Sequence, residues 1–195
     1  MGRDENLISP AALVSAMSEV ANSIVDCGEI GVLVIAAAAV GLPLVHRHRN
    51  LAIAWGLSLA ICIVVVAWAK LSHFLIPDIS GHAAVTVGFY LGLAAIMLKL
   101  APRRLAVPAG LVLAGMAVAI CWSVWALHWH SALNVVAGAI LGLACPAAVA
   151  LVPASRQSHA YEAMALLAVA ALVIVVLHGL RLDYIERAQA AFIAF

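Results

Sequence analysis

Charge is what this chain has least of. Only 10% of its 195 residues are Asp, Glu, Lys or Arg, whereas 67% are hydrophobic and the mean hydropathy is +1.15. A soluble domain is roughly a quarter charged, so this composition excludes an ordinary water-soluble fold. The formal net charge is +1, and no basic patch of the kind that grips phosphate backbones is present, which argues against nucleic acid as a partner. Cysteine is scarce as well. Cys27, Cys62, Cys121 and Cys145 stand singly, giving neither a disulfide framework nor metal-ligand spacing, and they read as small core hydrophobes. Low-complexity linkers and internal repeats are also missing. No cleavable leader is expected, because Met1 to Asn6 is polar and no basic stretch precedes a compact apolar run.

Long apolar runs fill the space these absences leave. A bilayer core takes ~20 mostly apolar residues per helix, and six runs qualify at about 30–46, 51–69, 83–98, 105–127, 132–152 and 161–179. Residues 1–195 are therefore expected to form one all-α, polytopic membrane domain of about six transmembrane helices. The brief connections make neighbouring helices antiparallel. Pro43, Pro102, Pro108, Pro146 and Pro153 end or kink the runs. The pairs Gly88/Gly92 and Gly138/Gly142 have the spacing that lets two helix backbones approach closely.

Residues 8–25 follow another pattern. Leu13, Met17, Val20, Ala21 and Ile24 share one helical face, with Ser15, Glu19 and Ser23 on the others. This predicts an amphipathic helix at the membrane interface. The tail 180–195, with Arg181, Asp183, Glu186 and Arg187 among apolar residues, reads the same way.

Orientation follows from the cations of the short loops. His46-Arg47-His48-Arg49 joins the first two spans, Lys99, Arg103 and Arg104 lie between the third and fourth, and Arg156 follows the fifth. The opposite loops hold only Lys70. The first set is expected in the cytoplasm, with both termini outside.

Two polar islands then face the exterior: Ser80-Gly81-His82 before the third span and His130-Ser131-Ala132-Leu133-Asn134 before the fifth. Ionisable groups at membrane depth cost roughly 2.5–3.5 kcal/mol each on insertion scales and usually persist for function. Both islands open helices, where free N–H groups and the helix dipole suit an anion such as phosphate. Ser80 is a candidate N-cap, and Gly81 permits close backbone approach. His82 and His130 supply a base or nucleophile and an acid, since imidazole titrates near neutrality. Asn134, four residues after His130, is expected on the same helical face, with its amide fixing the imidazole tautomer. Trp122, Trp125 and Trp129 read as an interfacial aromatic belt.

These residues resemble the type 2 phosphatidic acid phosphatase superfamily, which includes the vanadium haloperoxidases. Its signature is Lys followed by Arg-Pro, then Pro-Ser-Gly-His, then Ser-Arg followed by His and Asp. Lys70, the run Ile79-Ser80-Gly81-His82, and Ser123, His130 and Asn134 stand at the matching spacings, with Val135 and Gly138 continuing the third motif. The resemblance covers nearly the whole chain. It implies metal-independent hydrolysis of a lipid or polyprenyl phosphate through a phosphohistidine, with no cofactor. His130 would be the nucleophile and His82 the acid. Lys70, Ser80, Gly81 and Ser123 would be phosphate contacts, and His73 and His128 would stand in for lost cations. The departures are specific: Pro77-Asp78 replaces Arg-Pro, Val124 replaces the motif arginine, and Asn134 replaces the Asp.

Two further readings stay open beside the phosphatase. One is a catalytically inactive relative that binds a lipid phosphate or serves as a structural subunit of an envelope complex. The other is a metal or proton carrier using His73, His82, His128 and His130, against which no metal is expected. The expected partners are a lipid phosphate substrate and membrane lipids, with a membrane-protein partner or a homodimer left open. The expected setting is a bacterial inner (cytoplasmic) membrane, with the site on the periplasmic or exterior side.

Overall fold

A computed structural model describes residues 10–71, 79–153 and 159–178. His73, Pro77, Asp78, Arg156 and the tail 180–195 lie outside the described residues. Every regular element among the described residues is helical: α1 (Pro10–Asp26), α2 (Ile30–Arg47), α3 (Arg49–Leu71), α4 (Gly81–Leu100), α5 (Arg103–Ala126), α6 (Ala132–Gly142), α7 (Ala144–Leu151) and α8 (Ala160–Val176). Hydrocarbon offers backbone groups no partner, so helices that satisfy their own N–H and C=O groups are one of the few ways across it. Five helical stretches are long and apolar enough to span a membrane, and the chain is an all-α polytopic membrane bundle. The remaining apolar helix, α8, has 17 residues, or ~25 Å at about 1.5 Å per residue.

The bundle is arranged around α4. Ala83–Tyr90, Leu93, Ile96, Met97 and Leu100 are all buried, and α2, α3, α5, α6, α7 and α8 all pack against this helix. A helix apolar on every side belongs in the interior. The outer helices instead leave large apolar side chains exposed, among them Leu42, Leu57, Val64, Leu111, Val118, Ile140 and Leu172. In water such a surface would aggregate. In a bilayer it is the solvated surface.

The glycine pairs act as their spacing predicts. Gly138 of α6 lies against the Ser80 carbonyl and Ala83 and Ala84, while Gly142 lies against the Ala84 carbonyl, Val87 and Gly88. Gly88 and Gly92 of α4 receive Cys145 and the Trp55 ring, whose Nε1–H donates to the Gly88 carbonyl. Side chains at these positions would hold the helices apart.

The expected fifth span is one run in the sequence but two helices in the structure. Pro146 offers no N–H to the Gly142 carbonyl, and its ring crowds that group. The helix is interrupted at Leu143, which keeps helical dihedrals and whose own N–H is shared between the Ala139 and Ile140 carbonyls, so α6 and α7 together still form one 20-residue span. The amphipathic segment forms α1, which packs on α5. Its Ala21 and Ile24 are partly covered, and Val25 is buried, while Met17 and Val20 stay exposed.

Alternating helix directions give the bundle two unlike ends. At one meet the start of α2, the end of α3, the start of α4, the end of α5 and the start of α6. At the other lie Arg47, His48, Arg49, Lys99, Arg103, Arg104, His159 and Glu162.

Candidate functional site

The two polar islands, 50 residues apart in sequence, are joined by their backbones. The Ser80 N–H donates to the Asn134 carbonyl at 3.1 Å. Gly138 makes this possible, because the absence of a side chain there lets α6 lie directly on the Ser80 carbonyl.

Each island is also a cap. Ser80 has an extended backbone and its hydroxyl accepts from the Ala83 N–H at 3.3 Å, as an N-cap does. Ser131 does the same for α6, accepting from the Asn134 N–H. Consequently α6 begins only at Ala132, and His130 lies outside it. The expected shared helical face for His130 and Asn134 is therefore not formed, because the Ser131 cap stops the helix between them. Both residues are half-buried.

His82 lies in the first turn of α4. Its Nε2 is 3.3 Å from Oε2 of Glu29, the N-cap residue of α2, and both side chains are 19% exposed. Where the Glu29 carboxylate accepts from Nε2–H, Nδ1 is the nitrogen left for other work. The imidazole also meets the Trp129 ring edge-on, with centroids 5.7 Å apart. Trp129 directly precedes His130. In this way α2, α4 and the α5–α6 connection converge on one imidazole.

The remaining expected phosphate contacts divide by burial. Ser80 has no exposed surface, Ser123 is 3% exposed, and Gly81 is buried against Ile30 and Val66. Lys70 is half-buried in the last turn of α3, at the same end. His128 is exposed and has a φ of +58°. Its N–H donates to the Trp125 carbonyl, and the Trp129 N–H donates to that of Val124. This is the paired arrangement that closes a helix with a left-handed residue; here it turns the chain so that Trp129 reaches His82. Val124, where the resembled family carries arginine, has no exposed surface at all.

Sequence reasoning passed over Glu29. The available signal was an acidic residue directly before an apolar run, at the end where the islands lie. It also passed over the opposite end, where Glu162 faces Arg47, His48 and His159. Of these, His48, His159 and Glu162 form a group able to hold a metal ion.

Fold and site together define an integral membrane protein of helical type with a histidine-bearing polar end. In comparisons with known protein families, curated proteins and solved structures, nothing matches the chain.

Proposed function

We propose that the chain is a membrane phosphatase or phosphotransferase of the type 2 phosphatidic acid phosphatase kind, acting on a lipid or polyprenyl phosphate at the outer face of the membrane. The observation that carries this reading is the convergence of the two islands: the Ser80–Asn134 backbone bond and the His82–Trp129 contact bring both histidine-bearing segments to one end. A membrane-embedded active site for a lipid needs such groups at interfacial depth, within reach of a headgroup whose tails stay in the bilayer. The basic opposite end would face the cytoplasm, leaving the histidines on the periplasmic side of a bacterial inner membrane.

In this reading a His130 ring nitrogen attacks phosphorus and the bond to the lipid oxygen breaks. That oxygen takes a proton from Nδ1 of a protonated His82, whose Nε2–H stays on Glu29; water then gives a proton back to Nδ1, attacks phosphorus and displaces the His130 nitrogen, releasing phosphate. Glu29 positions His82 by holding Nε2. No metal takes part.

One observation favours a second reading, a relative that binds a lipid phosphate without turnover or serves as a subunit of an envelope complex. Ser80, Gly81 and Ser123 are turned into the core, and Val124 fills the arginine position. Guanidinium–phosphate bonds are worth about 1.5–3 kcal/mol each, and phosphoryl transfer depends on such charge stabilisation.

Phosphate release by the purified full chain in detergent, from phosphatidate and from a polyprenyl diphosphate, decides between them. The enzyme reading expects release that falls by about 10³-fold or more in His130→Ala. Glu29→Gln should lower the rate about tenfold while lipid binding is kept. Release unchanged in His130→Ala ends the mechanism. Lipid that co-purifies without turnover or a trapped phosphohistidine establishes the second reading.

A further inference from the structure

We propose that His48, His159 and Glu162, at the end of the bundle opposite the polar islands, form a site for a divalent transition-metal ion of the zinc class. Bound there, the ion ties the start of α8 to the α2–α3 corner.

Three observations support it. The first is the donor geometry. Oε2 of Glu162 faces two imidazole nitrogens at once, His48 Nε2 at 2.9 Å and His159 Nδ1 at 3.7 Å, and one ligand atom from each residue lies within 4.8 Å of the others. Zinc takes nitrogen and carboxylate donors at ~2.0–2.2 Å, which places donors of a four-coordinate site roughly 3.3 Å apart. Small side-chain rotations close that difference. Two histidines and one carboxylate are a donor set suited to zinc or a neighbouring first-row ion.

The second is rigidity. His48 caps the end of α2, with its N–H on the Leu44 carbonyl, and its own carbonyl receives the Ala52 N–H of α3. The His159 N–H donates to the Leu100 carbonyl at the end of α4, and its carbonyl accepts from Ala163. The donors are thus held by backbone bonds from both sides of each histidine. Arg47 holds Oε1 of Glu162 and leaves Oε2 toward the imidazoles, the part an outer hydrogen-bond partner plays for a ligating carboxylate.

The third is access. The His48, His159 and Glu162 side chains are 11%, 25% and 27% exposed. His48 lines an open groove of about 290 Å³ together with Arg47, Asn50, Val152 and Pro153. The three donors are therefore sheltered but not sealed, and the groove gives an approach to them from the His48 side.

The test is zinc titration of tag-free, chelator-stripped full chain in nanodiscs at neutral pH, followed by calorimetry. One site per chain is expected, with micromolar or tighter Kd. The affinity should fall about tenfold or more in His48→Gln, His159→Gln and Glu162→Gln, and stay unchanged in His46→Gln. Cobalt(II) bound to the wild type should give the intense visible bands of a four-coordinate ion, a readout that needs no variant to fold. Absence of saturable zinc uptake overturns the proposal. So does uptake undiminished in both His48→Gln and Glu162→Gln, or a weak six-coordinate cobalt spectrum.

Discussion

The two ends of this bundle keep polar groups at a membrane surface by different means. At the histidine end the joints are made by backbone: the Ser80 N–H on the Asn134 carbonyl, two serine caps, and a glycine that lets α6 touch α4. At the basic end most are made by long side chains, with Arg47 and two histidines on Glu162 and Lys99 on the carbonyls of Ala150 and Val152, beside one backbone bond from the His159 N–H to the Leu100 carbonyl. Backbone joints tolerate little change in spacing, because a carbonyl cannot swing aside. Side-chain joints give way by rotation and are screened by salt. A site needing fixed geometry is better built at the first end, and a reversible tie at the second.

The most severe way to break the first end is Gly138→Val. Its Cβ would fall on the Ser80 carbonyl and against Ala83 and Ala84, so α4 and α6 must separate and the Ser80–Asn134 bond is lost. Overpacking of this kind costs ~1–3 kcal/mol and sometimes more, and the upper end applies where the obstacle is backbone. Thermal unfolding in detergent should show a large loss of stability. Gly115→Ala, which meets nothing within 4 Å, should show none.

That joint also marks how far the sequence could be read. Lipid solvation imposes ~20-residue apolar runs, so the helices, their order and the close-packing glycines were legible from composition and spacing alone. So was Ser80 as a cap, since a serine before an apolar run has few other roles. The pairing of Glu29 with His82 was not, because it links residues 53 positions apart, with α2 and α3 between them, and leaves no periodic signal. The break at Leu143 was half legible: Pro146 announced a kink, but the run around it stayed apolar throughout. The inward burial of Ser123 and Val124 depends on how α5 is rotated. A helix apolar on all sides conceals that rotation.

A milder contrast lies within the histidine end. Ser80 is fully buried, whereas Ser131 is exposed, and both accept a helix N–H three residues on. Losing an N-cap costs about 0.5–2 kcal/mol. Ser80→Ala should lie near the top of that range, because the freed Ala83 N–H is sealed from water. Ser131→Ala should lie near the bottom, with water replacing the hydroxyl. Equal losses in paired unfolding measurements would mean that water reaches Ser80.

A small effect is also expected at the basic end. Lys99 donates to the Ala150 and Val152 carbonyls at 2.9 and 2.6 Å, closing α7 with a cation where its backbone acceptors run out. Lys99→Met keeps the apolar stem and removes both bonds. The carbonyls lie where water can replace the ammonium, so the loss should stay near ~1 kcal/mol. Its salt dependence separates the two ends. Raising ionic strength should shrink the difference between wild type and Lys99→Met, since a charge is screened, and leave the Ser80→Ala difference where it was, since a buried hydroxyl is not. A Lys99→Met deficit as large as that of Ser80→Ala and unmoved by salt would mean that the basic end is as rigidly built as the histidine end, and the distinction between backbone joints and side-chain ties would fail.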